Sequence, residues 1–187
     1  RELELDAEEE KLLRSYNFIT TKPLIVVVNL DEEQMQSGHY PEQDQLETEL
    51  ERMNLPLITV SAQIETEISE LDQEDAALFM QELGITDSGI ARIARTVFNH
   101  LGLSSFFTAG EREVHSWTIK QGSTARAAAG KIHSDIERGF IRAEVVAYDD
   151  LVRHGNIQTV KEQGLFRLEG KDYIVQDGDV ITFRFNV

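Results

Sequence analysis

Two apolar runs near the start of the chain have the pattern of buried strands. Residues 24–28 read Leu-Ile-Val-Val-Val, and residues 55–60 form a second apolar run. A β-branched run without polar alternation is typical of a parallel strand that is buried on both faces. Between the two runs, residues 42–53 have the spacing of an acidic amphipathic helix. Its inward positions are Leu46, Leu50 and Met53. The order of strand, helix and strand predicts a parallel α/β unit.

Helical patterns lie on both sides of this unit. Residues 2–16, among them Leu3, carry acidic side chains early and basic ones late, which favours a helix through its macrodipole. No N-cap precedes this segment, so we expect it to continue an element that begins earlier. After Ser61 a long helical stretch is predicted, and its last segment ends at Gly102. The apolar positions of that segment, which we expect to pack inward, are Ile90, Ile93, Ala94, Val97, Phe98 and Leu101.

After Gly102 the pattern changes to short strands separated by turns. Residues 106–110 and 114–119 have the pattern of two strands joined by a turn. Ser123 or Thr124 can cap the alanine-rich helix that follows. The remaining segments predict a strand, a short helix and three further strands, at 141–147, 148–152, 165–168, 173–175 and 180–185. Together they predict a small α+β unit of the β-grasp, ubiquitin-like type.

Composition narrows the class of protein. The chain has 187 residues, no cysteine and a formal net charge of −16. The absence of cysteine excludes a disulfide scaffold, a thiol nucleophile and a cysteine-ligated zinc site. No apolar run approaches the roughly 20 residues that span a bilayer, and the first residues do not have the pattern of a signal peptide. We therefore expect a cytoplasmic protein with no membrane partner.

The negative charge is concentrated in the first part of the chain. Residues 1–105 contain 7 basic and 22 acidic side chains, whereas residues 106–187 contain 11 and 12. Such asymmetry indicates a domain boundary, which we place between residues 105 and 106. The acidity argues against a broad electrostatic contact between the first part and nucleic acid. It makes no such argument for the second part, which is nearly neutral.

Short polar motifs follow the two predicted strands of the first part. Asn29, Leu30, Asp31 and Glu32 come directly after the first strand, and Ser61-Ala62 follows the second. In open α/β sheets, ligands bind just beyond the carboxyl ends of the strands, so both motifs are candidates for one site. The residues alone leave a simpler interpretation open, in which Asn29 caps the following turn and the two acids are solvated. No set of histidines and carboxylates has the spacing of a metal site.

The two motifs resemble the base-recognition segments of P-loop GTPases. Those proteins end one strand in N-K-x-D and the next in a Ser-Ala motif, and the aspartate of the first accepts two hydrogen bonds from guanine. In this chain Leu30 stands at the lysine position and Glu32 at the aspartate position. A longer side chain displaces the carboxylate, which predicts weaker selection of guanine.

The resemblance is closest in the second part. The segments 107–114, 117–119, 136–145, 168–173, 175–180 and 183–187 are similar to the TGS domain of the YchF, or Obg-like ATPase, family, a group of P-loop NTPases related to Obg. Residues 23–32 and 61–71 also resemble this family, including its glutamate in the base motif. The resemblance implies that residues 1–105 are the C-terminal part of the nucleotide-binding, OBG-type G domain. Within it, residues 1–20 would end a helical insertion, and residues 106–187 would be the TGS domain.

The resemblance also implies an activity for the intact parent. The family hydrolyses the γ-phosphate of ATP, or of GTP, with Mg²⁺. This chain contains no G-x-x-x-x-G-K-[ST] loop and none of the family's Mg²⁺ ligands, so we expect the fragment alone to be inactive. By resemblance, Asn29, Leu30 and Glu32 would contact the purine base, with Leu30 over the ring, and Ser61 and Ala62 would support it.

For the second part, the resemblance implies a module that associates with the ribosome or RNA. Its candidate contacts are cations, namely Lys120, Arg126, Lys131, Arg138 and Arg142. Two functions therefore stay open: a nucleotide-hydrolysing protein that binds ribosomes, present here in part, and a non-catalytic module that binds a ribosome or protein partner.

Overall fold

The structure, a computed structural model, describes residues 5–110 and 113–186, and these divide into two units between Leu101 and Gly102. A boundary after residue 105, as the charge predicts, would cut the strand that begins at Leu103. Parts of three predicted segments lie outside the described residues, at Leu3, at Glu111-Arg112 and at Val187.

The described part of the first unit contains six α-helices and two strands. The helices are α1 (Ala7–Leu13), α2 (Glu32–Ser37), α3 (Gln43–Arg52), α4 (Ala62–Glu70), α5 (Gln73–Glu82) and α6 (Gly89–His100). The strands are β1 (Val26–Asn29) and β2 (Leu57–Val60), which pair in parallel with Val26 opposite Leu57 and Asn29 opposite Val60. The predicted order of strand, helix and strand is therefore confirmed, with α2 as an additional short helix after β1.

The first helix begins later than predicted and has its own cap. The Asp6 side chain accepts hydrogen bonds from the backbone N–H groups of Glu8 and Glu9, and the Glu9 carboxylate accepts one from Asp6. This reciprocal arrangement is a capping box, which satisfies N–H groups that the first turn of a helix leaves unpaired. The expectation that this helix lacks an N-cap is therefore wrong.

Burial in the first unit is sparser than the apolar pattern predicts. Val27 of β1 is 46% exposed, so β1 is not buried on both faces. Met53 is 47% exposed, and Ile90 of α6 is 73% exposed, although both were predicted to face inward. The physical reason is that β1 and β2 form a sheet of only two strands within the described residues, which leaves few positions that helices can cover from both sides. The buried apolar side chains of the unit are Leu30, Leu50, Ile58, Val60 and Ile64.

The second unit is built on a five-stranded mixed sheet. Its strands are β3 (Leu103–Ala109), β4 (Val114–Lys120), β5 (Phe140–Ala147), β6 (Arg167–Glu169) and β7 (Asp179–Phe185), in the spatial order β4-β3-β7-β5-β6. All neighbours are antiparallel except β3 and β7. The helices are α7 (Ala125–Ile132), α8 (Ser134–Arg138), α9 (Tyr148–His154) and α10 (Ile157–Glu162). Of the two predicted caps, Thr124 is the one that caps α7.

A continuous core lies between α7 and one face of this sheet. Ala125, Ala128 and Ala129 of α7 are fully buried, and their small side chains let the helix approach the strands closely. The sheet contributes Phe106, Ile119, Ala143, Val145, Ile181 and Phe183. Gly139 precedes β5, where an added Cβ would collide with the backbone carbonyl of Asn186.

One predicted strand of the second unit is not formed. Residues 173–175 make a single antiparallel bridge, between Ile174 and Thr124, instead of a ladder. Turns on both sides, at Gly170 and Gly178, leave this segment too short to pair further. No helix in the described ranges is long and apolar enough to cross a membrane.

Candidate functional site

The two polar motifs of the first unit meet at one edge of the parallel sheet. Asn29 is the last residue of β1, and its Oδ1 accepts a hydrogen bond of 2.9 Å from the backbone N–H of Ala62, just beyond β2. One residue further on, the Leu30 N–H donates to the Val60 carbonyl at 2.7 Å. These bonds connect segments that are about thirty residues apart in the sequence and place the two strand ends side by side.

The helix that follows β1 is capped by Asp31 and not by Asn29. Asp31 Oδ1 accepts from the Gln34 N–H at 2.8 Å, and Gln34 Oε1 accepts from the Asp31 N–H at 3.1 Å. The simpler interpretation, in which Asn29 caps this turn, is therefore wrong. The side-chain oxygen of Asn29 instead accepts from the Ala62 N–H beyond β2. Its Nδ2 amino group is therefore the donor that Asn29 can present to a ligand.

Ser61 and Ala62 begin helix α4. Ser61 is only 2% exposed and is the N-cap, with its Oγ 3.5 Å from the N–H of Ile64. Ala62 is exposed, as is Asn29. A buried cap fixes where the helix starts, and this fixes the backbone N–H that Asn29 binds.

Leu30 and Glu32 lie in different surroundings. The Leu30 residue is 5% exposed and belongs to the core of the unit, so the structure leaves little of its side chain to cover a ring. Glu32 is the first residue of α2 and is exposed, and its Oε1 accepts a hydrogen bond of 3.2 Å from the Gln36 side chain. Of the five predicted base-site residues, Asn29, Glu32 and Ala62 are therefore accessible to a ligand, whereas Leu30 and Ser61 are buried.

Two residues that the sequence did not single out as site residues hold helix α6 against this edge. Glu65 Oε1 accepts a hydrogen bond of 2.6 Å from the N–H of Gly89, at the start of α6. Arg92 donates from Nη2 to the Thr59 carbonyl at 2.7 Å. These contacts join positions far apart in the sequence, so no local pattern could reveal them. Arg95, on the same helix, forms an ion pair with Asp87 at 3.0 Å.

A cleft of about 210 Å³ lies beside these contacts. Gln36, Ile64 and Asp87 are among its lining residues, together with Arg92, whose Nε is buried without a hydrogen-bond partner among the described residues. The described ranges contain no group of three or more histidine, aspartate or glutamate side chains that could hold a metal ion.

The predicted cations of the second unit are not gathered on one surface. Arg126 and Lys131 lie on α7 and Arg138 on α8, whereas Arg142 lies on β5. Arg142 is next to the core residue Ala143, so its side chain projects from the sheet face opposite α7. Lys120 ends the edge strand β4.

Some of these cations already have protein partners. Arg126 Nε donates to the Glu137 carbonyl at 3.3 Å, and Arg138 forms an ion pair with Asp135. Because these contacts occupy donors that a phosphate would need, Arg126 and Arg138 are less available to bind RNA than cations without protein partners would be.

A buried carboxylate organises one end of the second unit. Asp179, 2% exposed, accepts from the Tyr173 hydroxyl at 2.7 Å, from Arg167 Nη2 at 3.1 Å and from the Gln176 N–H at 2.9 Å. Burial, and then the hydrogen bond to Asp179, raises the pKa of Tyr173 to about 12. These hydrogen bonds hold the turn before β7 in place, so the role of Asp179 is structural.

Comparison with known proteins places this arrangement in a family. The YchF-GTPase_C family model, described as a protein of unknown function (DUF933), matches residues 103–186. The ribosome-binding ATPase YchF of Bacillus subtilis (strain 168) is 46% identical over 188 residues, which cover 100% of this chain and 51% of that protein. The protein of the same name from Pasteurella multocida (strain Pm70) is 45% identical, with the same coverage of each chain.

Two solved structures are similar to this chain in fold. The YchF GTPase of Schizosaccharomyces pombe superposes with a TM-score of 0.79 at 28% identity, over 98% of this chain and 49% of that one. A GTP-binding protein from Pyrococcus horikoshii OT3 superposes with a TM-score of 0.60 at 20% identity, over 88% of this chain and 46% of that one, which shows a shared fold. The chain spans about half the length of the curated relatives it matches, and it corresponds to their C-terminal part. The chain belongs to the YchF family.

Proposed function

We propose that this chain is the C-terminal part of a protein that binds and hydrolyses ATP, or GTP, and that associates with the ribosome. The first unit would be the end of the nucleotide-binding domain, with the end of a helical insertion at 1–20, and the second unit, from Gly102 onward, a β-grasp TGS domain. Two relatives that are ribosome-binding ATPases by name, from Bacillus subtilis and Pasteurella multocida, support this assignment. The activity belongs to the intact protein, because the phosphate-binding loop and the Mg²⁺ ligands are not among the residues of this chain.

The observation that carries the proposal is the hydrogen bond between Asn29 Oδ1 and the Ala62 N–H. It holds the two motifs together at the carboxyl ends of parallel strands, where α/β proteins bind their ligands. It also orients the carboxamide, so that Nδ2 is left to donate to an acceptor on a purine ring. The residues present therefore fit the base of a nucleotide.

Glu32 bears on which base is bound. Guanine recognition by a carboxylate uses two parallel hydrogen bonds, which demand a fixed distance from the backbone. Glu32 is exposed at the start of α2 and carries one more methylene than the aspartate usual in GTPases, so it is poorly suited to that geometry. We propose that the site selects guanine only weakly, so that the intact protein binds ATP at least as well as GTP.

The base site can be tested on the chain itself. Adenosine monophosphate and guanosine monophosphate are titrated separately into isotope-labelled protein, and amide chemical shifts are recorded. We expect weak binding, on the order of millimolar, because the phosphate contacts are absent. Shifts should be concentrated at Leu30, Glu32 and Ala62, and Asn29→Ala should abolish them. Asn99→Ala, an exposed amide on α6, is the matched control. Shifts that persist in Asn29→Ala would place the nucleotide elsewhere.

Base selection is tested in the full-length protein. Glu32→Asp should strengthen GTP binding by about tenfold relative to ATP, because the shorter carboxylate restores the guanine contact. Glu33→Asp, the adjacent exposed glutamate of α2, is the control and should leave the ratio unchanged. Fluorescent analogues of both nucleotides report the two affinities. An unchanged ratio in Glu32→Asp would show that this carboxylate does not read the base.

A further inference from the structure

The sheet of the second unit has two edges, and they differ in length. At one edge lies β6, which has three residues, and at the other lies β4, which has seven. β4 pairs with β3 at seven consecutive positions without a register shift, and it contains no proline. Proteins protect exposed edges with short strands, prolines, bulges or a covering element, because unpaired backbone groups accept a further strand. The edge at β6 is protected by its shortness, whereas β4 is long, regular and free of proline.

The hydrogen bonds of the β3–β4 ladder show which backbone groups of β4 face outward. The Gln121 N–H donates to the Gly102 carbonyl at 2.7 Å, and the Gly110 N–H donates to the Glu113 carbonyl at 2.9 Å. In an antiparallel ladder every second residue bonds its partner through both backbone groups, so the odd-numbered residues from 113 to 121 are bonded to β3. The N–H and C=O groups of the even-numbered residues therefore point away from the sheet.

Three residues of this edge have outward backbone groups without a partner among the described residues, namely Val114, Ser116 and Thr118. All three are exposed, and Val114 is 67% exposed, so no described element covers this stretch. The stretch ends before Lys120, whose carbonyl accepts from the N–H and the hydroxyl of Ser123 at 3.1 and 2.6 Å. We call residues 114–118 the free edge.

The backbone pattern of the free edge fits an extended peptide. A β-strand presents N–H and C=O groups on every second residue, which is the spacing of the outward groups of Val114, Ser116 and Thr118. These three residues carry two groups each, so six hydrogen bonds can form with an added strand. A nucleic-acid backbone has no such alternation of donors and acceptors, and a chain of net charge −16 repels its phosphates.

The charge of the chain indicates which peptides are favoured. A net charge of −16 repels acidic segments and also a second copy of this chain, whereas it attracts basic segments. Two charged residues bound the free edge: Glu113, 72% exposed, directly before β4, and Lys120 at its end. We expect a cation of the partner to lie beside the Glu113 carboxylate.

We infer that the free edge is a docking site for a basic, extended segment of a protein partner, which adds to the sheet as a sixth strand beside β4. Main-chain hydrogen bonds to Val114, Ser116 and Thr118 supply the contact, and the net negative charge of the chain favours lysine and arginine in the partner. This docking site goes beyond nucleotide binding and ribosome association and depends on neither.

The first test uses the whole chain and a fluorescein-labelled peptide in which lysine and valine alternate, with anisotropy as the measure of binding. Thr118→Pro removes one outward N–H and places a ring at the edge, while the bonds of Trp117 and Ile119 to β3 stay in place. Binding should weaken at least about tenfold. The matched control is Thr118→Ala, which keeps the backbone N–H and should bind as the unaltered chain does.

Amide hydrogen exchange tests the individual backbone groups. In the free chain the N–H groups of Ser116 and Thr118 should exchange fast and those of Trp117 and Ile119 slowly, because only the latter two are bonded to β3. The lysine-valine peptide should slow exchange at Ser116 and Thr118 by at least about tenfold. Protection of these two amides in the free chain that rises with protein concentration would place a second copy at the edge and overturn the inference.

Two altered peptides test the chemistry of the partner without any change in the protein. The same sequence with every backbone nitrogen methylated keeps its charges but cannot donate a hydrogen bond, so it should bind at least about tenfold more weakly. This measurement holds even where Thr118→Pro does not fold, which thermal unfolding followed by the fluorescence of Trp117, the chain's single tryptophan, would reveal. The second peptide has glutamate in place of lysine and should also bind more weakly.

The opposite outcomes are decisive. If the unaltered chain does not bind the lysine-valine peptide, the inference fails. If the methylated peptide binds as tightly as the original, or if a folded Thr118→Pro binds as well as the unaltered chain, the peptide lies elsewhere and the free edge is not a docking site. If the glutamate peptide binds as tightly as the lysine peptide, the assignment to a basic segment is overturned.

Discussion

The two units of this chain differ in how they hold their shape. The described part of the first unit buries five apolar residues, at positions 30, 50, 58, 60 and 64, whereas that of the second buries thirteen in a smaller number of residues. The first unit relies on single hydrogen bonds between distant segments, such as the one from Ala62 to Asn29 and the one from Gly89 to Glu65. The second has a continuous core beneath α7.

The difference shows that side chains do two separate things in this chain: buried apolar ones stabilise a unit, and polar ones fix the position of specific atoms. Burial of apolar area provides most of the stability of a domain, and it is insensitive to the position of any one polar group. Hydrogen bonds between strand ends contribute less free energy but fix specific atoms. We therefore expect the first unit to be the less stable of the two, with its candidate base site held by the bonds that link Asn29, Ala62 and Glu65 to their partners.

The largest expected effect comes from the core of the second unit. Phe106→Ala should lower the free energy of unfolding by about 4 kcal/mol, because Phe106 is fully buried and packs edge-to-face on Phe183. Leu50→Ala in the first unit should cost about 2 kcal/mol, because a sparse core collapses more readily around a cavity. Urea unfolding measures both, with Trp117 fluorescence for the second unit and far-UV circular dichroism for the whole chain.

Leu168→Ala is the control for that comparison. The side chain is 60% exposed on β6, so its removal should change the unfolding free energy by less than about 0.5 kcal/mol. The comparison between the units would be wrong if Leu50→Ala proved as costly as Phe106→Ala, since the first unit would then have an equally well-packed core.

Local patterns were sufficient to predict most of the elements. The parallel pair β1 and β2, the hairpin of β3 and β4, and a cap of α7 at Ser123 or Thr124 all follow from apolar runs, turns and capping residues within a few positions, and the structure selects Thr124. The meeting of Asn29 with Ser61-Ala62 could also be predicted, because parallel strands end at the same edge of a sheet.

What the sequence could not reveal depends on distant partners. The exposure of Val27 and Ile90 is set by which elements cover them, and an apolar run has the same pattern whether it is covered or not. The contact between Arg92 and the Thr59 carbonyl joins α6 to β2 without any local motif. The neighbourhood of Arg142 and Arg184 arises from strand pairing over about forty residues, so listing cations along the chain could not find it.

The second prediction compares one polar contact from each unit. Asp179→Ala should lower the stability of the second unit by about 3 kcal/mol, because it leaves Arg167 and Tyr173 without their buried acceptor. Asn29→Ala should cost only about 1 kcal/mol, since it removes one hydrogen bond at an exposed strand end. Urea unfolding of the two variants gives both values.

Asp172→Asn is the matched control for Asp179, because it is an exposed acid in the turn that precedes Tyr173. It should stay within about 0.5 kcal/mol of the unaltered chain. An equally small effect of Asp179→Ala would show that the network contributes little and that apolar packing alone stabilises the second unit.

The smallest expected effect is a dependence of the second unit's stability on pH, which arises from the ionisation of Tyr173. The pKa of Tyr173 is raised from 10.0 to about 12 in the folded protein, through burial and the hydrogen bond that its hydroxyl donates to Asp179. A raised pKa means that the folded state holds the proton more tightly than the unfolded state does. The resulting stabilisation is fully present below pH 10 and is lost as the pH rises through about 12.

Tyr173→Phe tests this directly, because phenylalanine has no proton to lose. The urea midpoint of the second unit, read from Trp117 fluorescence, should fall less steeply between pH 10 and 12 in Tyr173→Phe than in the unaltered chain. Tyr148→Phe, which removes an exposed hydroxyl from the same unit, should keep the original steepness. Equal slopes in all three proteins would mean that Tyr173 ionises as readily in the folded as in the unfolded chain. The network around Asp179 would then not hold the phenol in its neutral form, and the second unit would owe its rigidity to the core beneath α7 alone.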